Sequence, residues 1–499
     1  MNYRIKWLSG ICYASMMLGL VTSCADGVDD NERFSAGAGV TNAQLEAPKL
    51  DLENFKVQTA GDGSQSVDVS WPVVYGAGGY VANVSIVNDP TNPIAVVKDS
   101  VIDGCHFSFK REIDTKYEVS VGTLGNEKLN NKGSLEPSVI AYSTMLPATA
   151  IPVGVEISQF IAENIPAGST DEIAFELTPG ETYQLTAKAD MKYANVTIRG
   201  DRYNRPLVVV TGEGEFVTQG GLNLRYINFD MSDAPTTTLI RLSPDANPAL
   251  STEALGFKAL SSNVKDGYVV MNPISIESCY IRNLPSCIVW TGDWAADAPM
   301  WSLNNLRISD CIVQLKKVND KAVISLEGST LSVIKTMSVS NSTFYNNGDP
   351  NVKARFIRYG TRTDPTRVFG PGATTEHLLK NVTFYKTFPA QQFANNMDNS
   401  KLTLTIEGVI FYDINRMDQY CFRSGTSCVA NPDDNVSWLA GTEAKIHSNV
   451  LKISTELDPD FVGPTANDLD IDNPKASVNF RPQAPLCVEK KIGDPRWFE

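Results

Sequence analysis

Two groups of side chains in this 499-residue chain are of the types that hold sugars. The first is aromatic. Trp290, Trp294 and Trp301 fall within twelve residues, and Trp294 and Trp301 lie in the segment Gly292-Asp-Trp-Ala-Ala-Asp-Ala-Pro-Met-Trp301. On an exposed loop, indole rings are flat platforms for the apolar C–H faces of sugar rings; in a core they only pack. Trp294 and Trp301 are open to either reading. Trp290 closes the apolar strand Cys287-Ile-Val-Trp290 and is expected to face inward. The second group is cationic: Arg241, Arg358 and Arg423. Each follows a large apolar residue in a short strand (Leu239-Ile-Arg-Leu242, Phe356-Ile-Arg-Tyr359, Cys421-Phe-Arg-Ser424), in a position that also holds Val289 and Ser325. If those strands stack about 4.8 Å apart, the arginines project from one face at intervals on the order of 10–15 Å. A guanidinium fork matches a carboxylate, so such a stripe would grip a uronic-acid polymer. The alternative is a solvated face paired with neighbouring acids.

Other chemistries have little material. The three histidines, His106, His377 and His447, are scattered, which leaves nothing for a His-based metal site or a Ser-His-Asp triad. No CxxC or CxxH spacing suggests zinc. Asp468-Leu-Asp-Ile-Asp-Asn473 matches only the opening of a calcium loop and lacks its glycine and distal glutamate. No metal and no cofactor is expected. The net charge of -14 is unsuited to sequence-independent nucleic-acid binding, which needs clustered cations.

The elements that must position these groups belong to an internal repeat. From residue 150 onward a pattern recurs seven times: apolar, polar, apolar, polar, a turn residue, two variable residues, then an aromatic or aliphatic. Its copies align on Ile198, Leu224, Ile276, Ile308, Val339, Leu379 and Ile406, at spacings of 26, 52, 32, 31, 40 and 27 residues. The 52 is either two turns or one turn with a long insert. Period-two alternation puts one side chain in and the next out. Gly200, Ser278, Asp310, Asn341, Asn381 and Gly408 stand at the corners. Stacked coils would align Tyr203, Phe229, Ile281, Val313, Phe344, Phe384 and Phe411 in one interior column, and Ile240, Ile288, Ile324, Ile357 and Phe422 in another. No rung buries its apolar face alone, so such a core exists only when rungs stack.

Residues 45–147 read differently. Strands such as Ser66-Val-Asp-Val-Ser-Trp71, Tyr80-Val-Ala-Asn-Val-Ser-Ile86 and Tyr117-Glu-Val-Ser-Val121 alternate between turns rich in glycine, which suits a β-sandwich of about 100 residues. Residues 25–44 carry no apolar periodicity and read as a tether. Before them, Met1 to Trp7 carries Arg4 and Lys6, Leu8 to Val21 is mostly apolar, and Val21-Thr-Ser-Cys24 follows. This is a signal peptide over residues 1–23 with a lipobox-type end: cleavage precedes Cys24, which takes the lipid. Cys12 leaves with the signal, so seven of the nine cysteines are left for pairing, and an odd number cannot pair completely.

Several of these features resemble known families. Trp71, Tyr80 and Tyr117 fall where fibronectin type III modules place a buried tryptophan, the opening of the third strand and the tyrosine corner. Such modules serve mostly as spacers. The repeat with its variable inserts, over 150–499, resembles the right-handed parallel β-helix of the pectate-lyase-like superfamily. The acidic Asp26, Asp29, Asp30 and Glu32 after Cys24 resemble the surface-export signal of lipoproteins from glycan-degrading gut bacteria. The whole layout, including the ending Lys491-Ile-Gly-Asp-Pro-Arg-Trp497, is similar to lipoproteins of unknown function from polysaccharide-utilisation clusters. The resemblance implies an all-β protein, a fibronectin-like sandwich followed by a parallel β-helix, lipid-anchored in the outer membrane and exposed at the cell surface. It would bind a polysaccharide, with a uronate-containing pectic one as the candidate, for neighbouring glycan-uptake proteins. The candidate binding residues are Trp294, Trp301, Arg241, Arg358 and Arg423. The alternatives are an enzyme of the same fold and a structural or adhesive surface protein. Pectate lyases of that fold use an arginine or lysine beside calcium-holding acids, and Arg355 to Arg367 is basic. Yet Glu277 and Glu407 lie several rungs apart and form no compact acidic group, nor the paired carboxylates of a hydrolase. Catalysis is therefore the second reading, with lyase chemistry its form.

Overall fold

The computed structural model describes residues 40–499, except 60–64, 113, 258–266, 294–297, 329–330, 350–351, 353, 388–392, 415, 418–419, 421–424, 441–447 and 464–467. The protein is all-β and divides between Pro147 and Ala148 into two compact units. No helix among the described residues is long and apolar enough to cross a membrane.

Among the described residues the first unit holds seven antiparallel strands: β1 (Phe55–Thr59), β2 (Gln65–Ser70), β3 (Gly79–Ile86), β4 (Ile94–Ile102), β5 (His106–Lys110), β6 (Lys116–Leu124) and β7 (Ser138–Ser143). They form two sheets, ordered β1-β2-β5 and β4-β3-β6-β7. Alternation decides which residues are buried. Val67 and Val69 from one sheet, and Ala82, Val84, Val119 and Val121 from the other, share a single apolar core. Trp71 is buried in it, edge-on to Tyr80 at 5.2 Å. The Tyr80 hydroxyl accepts from the Val74 amide at 2.8 Å, and the Tyr117 hydroxyl from the Glu112 amide at 2.7 Å. Each phenol thus satisfies a loop amide while its ring fills the core.

The second unit is built on two large sheets, of nineteen and seven strands, whose pairings are all parallel among the described residues. This arrangement is consistent with a β-helix. Ile198, Leu224, Ile276, Ile308, Val339, Leu379 and Ile406 are successive register partners, as the repeat alignment requires. Leu224 pairs directly with Ile276, so the 52-residue spacing is one turn with a long insert. Phe229, Ile281, Val313, Phe344, Phe384 and Phe411 form one interior column, all fully buried. Phe344 and Phe384 stack at 5.4 Å, and Phe384 and Phe411 at 6.0 Å with planes 6° apart. Tyr203 is not part of this column. It is 52% exposed, and Val208 pairs with Phe229 in its place. The cause is local: the Asp201 carboxylate accepts from the amides of Tyr203 and Asn204, which turns the chain outward before the next strand.

The corners are conformationally uniform. Ser278, Asp310, Asn341, Asn381 and Gly408 all take positive φ between 47° and 67°, as does Tyr226. Asn and Gly tolerate this region at low cost. Asn381 Nδ2 donates to Asn341 Oδ1 at 3.2 Å, so corners bond along the stack. Gly200 serves a different need. A Cβ there would lie 2.3 Å from the Tyr226 carbonyl oxygen and from Pro206.

The chain ends by closing over the outer face of the larger sheet. Thr343 Oγ1 donates to the buried Asp494 carboxylate at 2.8 Å and accepts from Trp497 Nε1 at 2.8 Å. The Asp494 amide donates to Thr383 Oγ1 at 3.1 Å, and Arg496 donates to the Asn341 carbonyl at 3.1 Å. Leu469, Ile471, Phe480 and Trp497 form a satellite core there with Ile312 and Tyr345. Of the acids around Leu469 and Ile471, Asp470 holds its own loop by accepting from the amides of Asp472 and Asn473, and Asp468 pairs with Arg282 at 3.0 Å.

Candidate functional site

The site is set by the seven-stranded sheet. Its inward column runs Ala189, Phe216, Ile240, Val289, Ile324, Ile357 and Ala394; its outward column runs Asp190, Val217, Arg241, Trp290, Ser325, Arg358 and Asn395. The segment Cys287–Trp290 is one residue out of step with the repeat alignment. Val289 pairs with Ile240 on one side and Ile324 on the other, and the Ile240 amide donates to the Ile288 carbonyl at 2.9 Å. Val289 therefore takes the inward place expected of Ile288. Trp290 takes the outward place and is only partly buried, against the expectation that it packs inside.

Trp290 stands in a cleft of about 570 Å³ whose lining includes Lys188, Glu215, Thr237, Arg241, Asp293 and Lys321. Two cations rest on the indole: Lys321 Nζ lies 3.8 Å and Arg241 Cζ 4.8 Å from the ring centroid. Both distances are within the range of favourable cation–π attraction. Arg241 is tied from below. Its guanidinium pairs with Glu215 at 3.4 Å, and Glu215 is 4% exposed, accepts from Thr238 Oγ1 at 3.0 Å and pairs with Lys188 at 3.8 Å. Lys321 is tied at the rim, where it pairs with Asp293 at 2.8 Å. Two buried polar atoms of the lining, Thr237 Oγ1 and Arg241 Nε, have no hydrogen-bond partner among the described residues. Such atoms are ones a ligand's polar groups can satisfy. Ser286 and Asn319 also line the cleft, bonded through Asn319 Nδ2 to Ser286 Oγ at 3.2 Å. Behind them the buried Lys317 donates to the Ser286 carbonyl, and burial pushes its ammonium down to about 8.

The candidate residues read from the sequence are dispersed. Arg241 lies in the cleft. Arg358 is in the same outward column, three rung steps away or roughly 14 Å, and pairs with Glu327 outside the lining. Trp301 is packing. It is fully buried, donates from Nε1 to the Ser243 carbonyl at 2.7 Å and lies 5.5 Å from the register-paired Tyr268. Trp294, Arg423 and Cys24 lie outside the described residues. Glu277 is held by Arg225 and Arg307, and Glu407 by Lys380, along the outer face of the other sheet. The described residues contain no group of three potential metal-ligating side chains. Sequence reasoning placed Trp290 inside and missed Glu215, Lys188 and Lys321. One signal was available: Thr291 continues the strand, so Ile288-Val-Trp-Thr291 fits the repeat with its third residue outward.

Two family models match the chain. One, described as a domain of unknown function, covers residues 3–185, and a second, domain of unknown function (DUF4957), covers residues 181–347. No curated protein and no solved structure matches it.

Proposed function

We propose that this chain is a lipid-anchored surface protein that binds a uronate-containing polysaccharide through the Trp290 cleft, for a neighbouring glycan-uptake system. One observation carries the reading: an outward tryptophan on a rigid parallel sheet, with two cations at its ring and unmatched polar atoms beside it. An aromatic surface next to cations suits an acidic sugar, which presents apolar C–H faces and a carboxylate together. The finer architecture belongs to the same proposal. The second unit is a right-handed β-helix of pectate-lyase-like type, supported by its parallel columns and stacked asparagine corners. The first is a fibronectin type III-like sandwich, supported by its strand order, the buried Trp71 and the Tyr117 corner bond. The anchor is the lipid on Cys24, and the acidic segment after it directs the protein to the outer face of the outer membrane.

Affinity electrophoresis of the mature protein in gels loaded with polygalacturonate tests the reading. Retention is expected, and Trp290→Ala should weaken it on the order of tenfold while the fold is kept, because the ring is partly exposed. Equal retention of wild type and Trp290→Ala would remove the cleft from consideration. New ends absorbing in the ultraviolet would replace binding with lyase activity. In cells, Cys24→Ser should release the protein from the membrane fraction.

A further inference from the structure

We propose that Lys321 sets the charge specificity of the cleft: its ammonium group is the one a ligand carboxylate takes over, and it denies the Trp290 ring to neutral sugars. This rests on the reading of the cleft as a glycan site. The two cations on the indole are held in different ways. Arg241 is committed to Glu215, which is buried and matched by Lys188 and Thr238 as well. Drawing Arg241 to a ligand would take the closer of two cations from a buried carboxylate, leaving it only Lys188 at 3.8 Å and the Thr238 hydroxyl, which is costly. Lys321 is paired with Asp293, whose side chain is 79% exposed. An ion pair with so exposed a partner is weak, since the carboxylate regains water when the two part. A carboxylate entering the cleft therefore exchanges with Asp293 and draws Nζ off the ring, where it now lies 3.8 Å from the centroid, which frees the indole for the sugar's C–H face. A neutral sugar offers the ammonium only uncharged oxygens, which do not replace the charge of Asp293. To stack on the indole it must displace a cation from the aromatic ring that holds cations best.

The remaining charges in the lining agree. Glu213, Glu215 and Asp293 balance Lys188, Arg241 and Lys321 in number, so no excess positive field attracts an acid indiscriminately. Selection falls to the one cation whose partner is easily exchanged.

The test compares polygalacturonate with its fully methyl-esterified form, which keeps the chain and removes the charge. Binding to the full mature protein is measured by affinity electrophoresis and titration calorimetry for wild type, Lys321→Ala and Lys321→Arg. Wild type should prefer the acid polymer. Lys321→Ala should weaken acid binding on the order of tenfold, the loss of one charge-assisted contact. It should also strengthen ester binding by baring the ring, so that the preference collapses. Lys321→Arg should retain it. An unchanged preference in Lys321→Ala, or an equal loss for both polymers, overturns the role of Lys321 and leaves the glycan site standing. Wild type binding neither polymer overturns both.

Discussion

Acid should destabilise the second unit through a single buried histidine. His377 occupies an inward column with Leu306, Met337 and Leu404, and is 3% exposed. Its Nε2 faces the Ile334 carbonyl at 3.1 Å and its Nδ1 faces the Tyr420 hydroxyl at 3.0 Å. A carbonyl only accepts, so Nε2 carries the proton and Nδ1 accepts from Tyr420. The neutral ring is then fully satisfied. A second proton would place a charge among leucines, and burial accordingly pushes the imidazole from 6.5 down to about 4. Above pH 6.5 the ring is neutral whether the chain is folded or not, and the fold suffers no penalty. As the pH falls from 6.5 towards 4, the unfolded chain takes the proton and the folded chain does not. The loss is about 2.5 kcal/mol at pH 4.5 and about 3 kcal/mol below both values. His377→Leu removes the titration. It costs about 1–3 kcal/mol at neutral pH, because the Ile334 carbonyl and the Tyr420 hydroxyl lose their partner. Urea unfolding of both chains at pH 7.5, 5.5 and 4.5 isolates the effect, since every other titrating group is common to both. The gap between them should close or reverse by about 2.5 kcal/mol between pH 7.5 and 4.5. Parallel pH profiles would refute the assignment of a neutral, bonded His377.

Three further outcomes follow from the packing. Phe384→Ala should cost about 3–5 kcal/mol by urea or thermal unfolding, because its ring stacks on Phe344 and Phe411 and touches Phe356 and Phe393, leaving no neighbour free to fill the gap. Gly408→Ala should lose about 1–2 kcal/mol or more by the same assay, since φ is +67° and a Cβ would lie 2.4 Å from Asn381 Oδ1. Trp497→Phe should lose about 1–2 kcal/mol by leaving the buried Thr343 hydroxyl without its indole donor, and should unfasten the chain end to proteolysis; unchanged stability would show that the ending contributes only apolar contact.

The rungs of the second unit are legible in the sequence because their causes are local. Strand alternation has a period of two, and a corner that needs positive φ selects Asn, Asp, Ser or Gly, so Ile276 through Ile406 align from residue types alone. The aromatic column could be read for the same reason from Phe229 to Phe411, and fails only at Tyr203, where Asp201 bends the chain away. The Trp290 cleft is of another kind. Whether Trp290 faces in or out turns on one residue of register, and register is decided by which residues of neighbouring rungs pair, here Val289 with Ile240 and Ile324. Glu215, Lys188 and Lys321 come from separate rungs and meet only after stacking. Local pattern fixes a rung; only the contacts between rungs decide which side chains share a cleft.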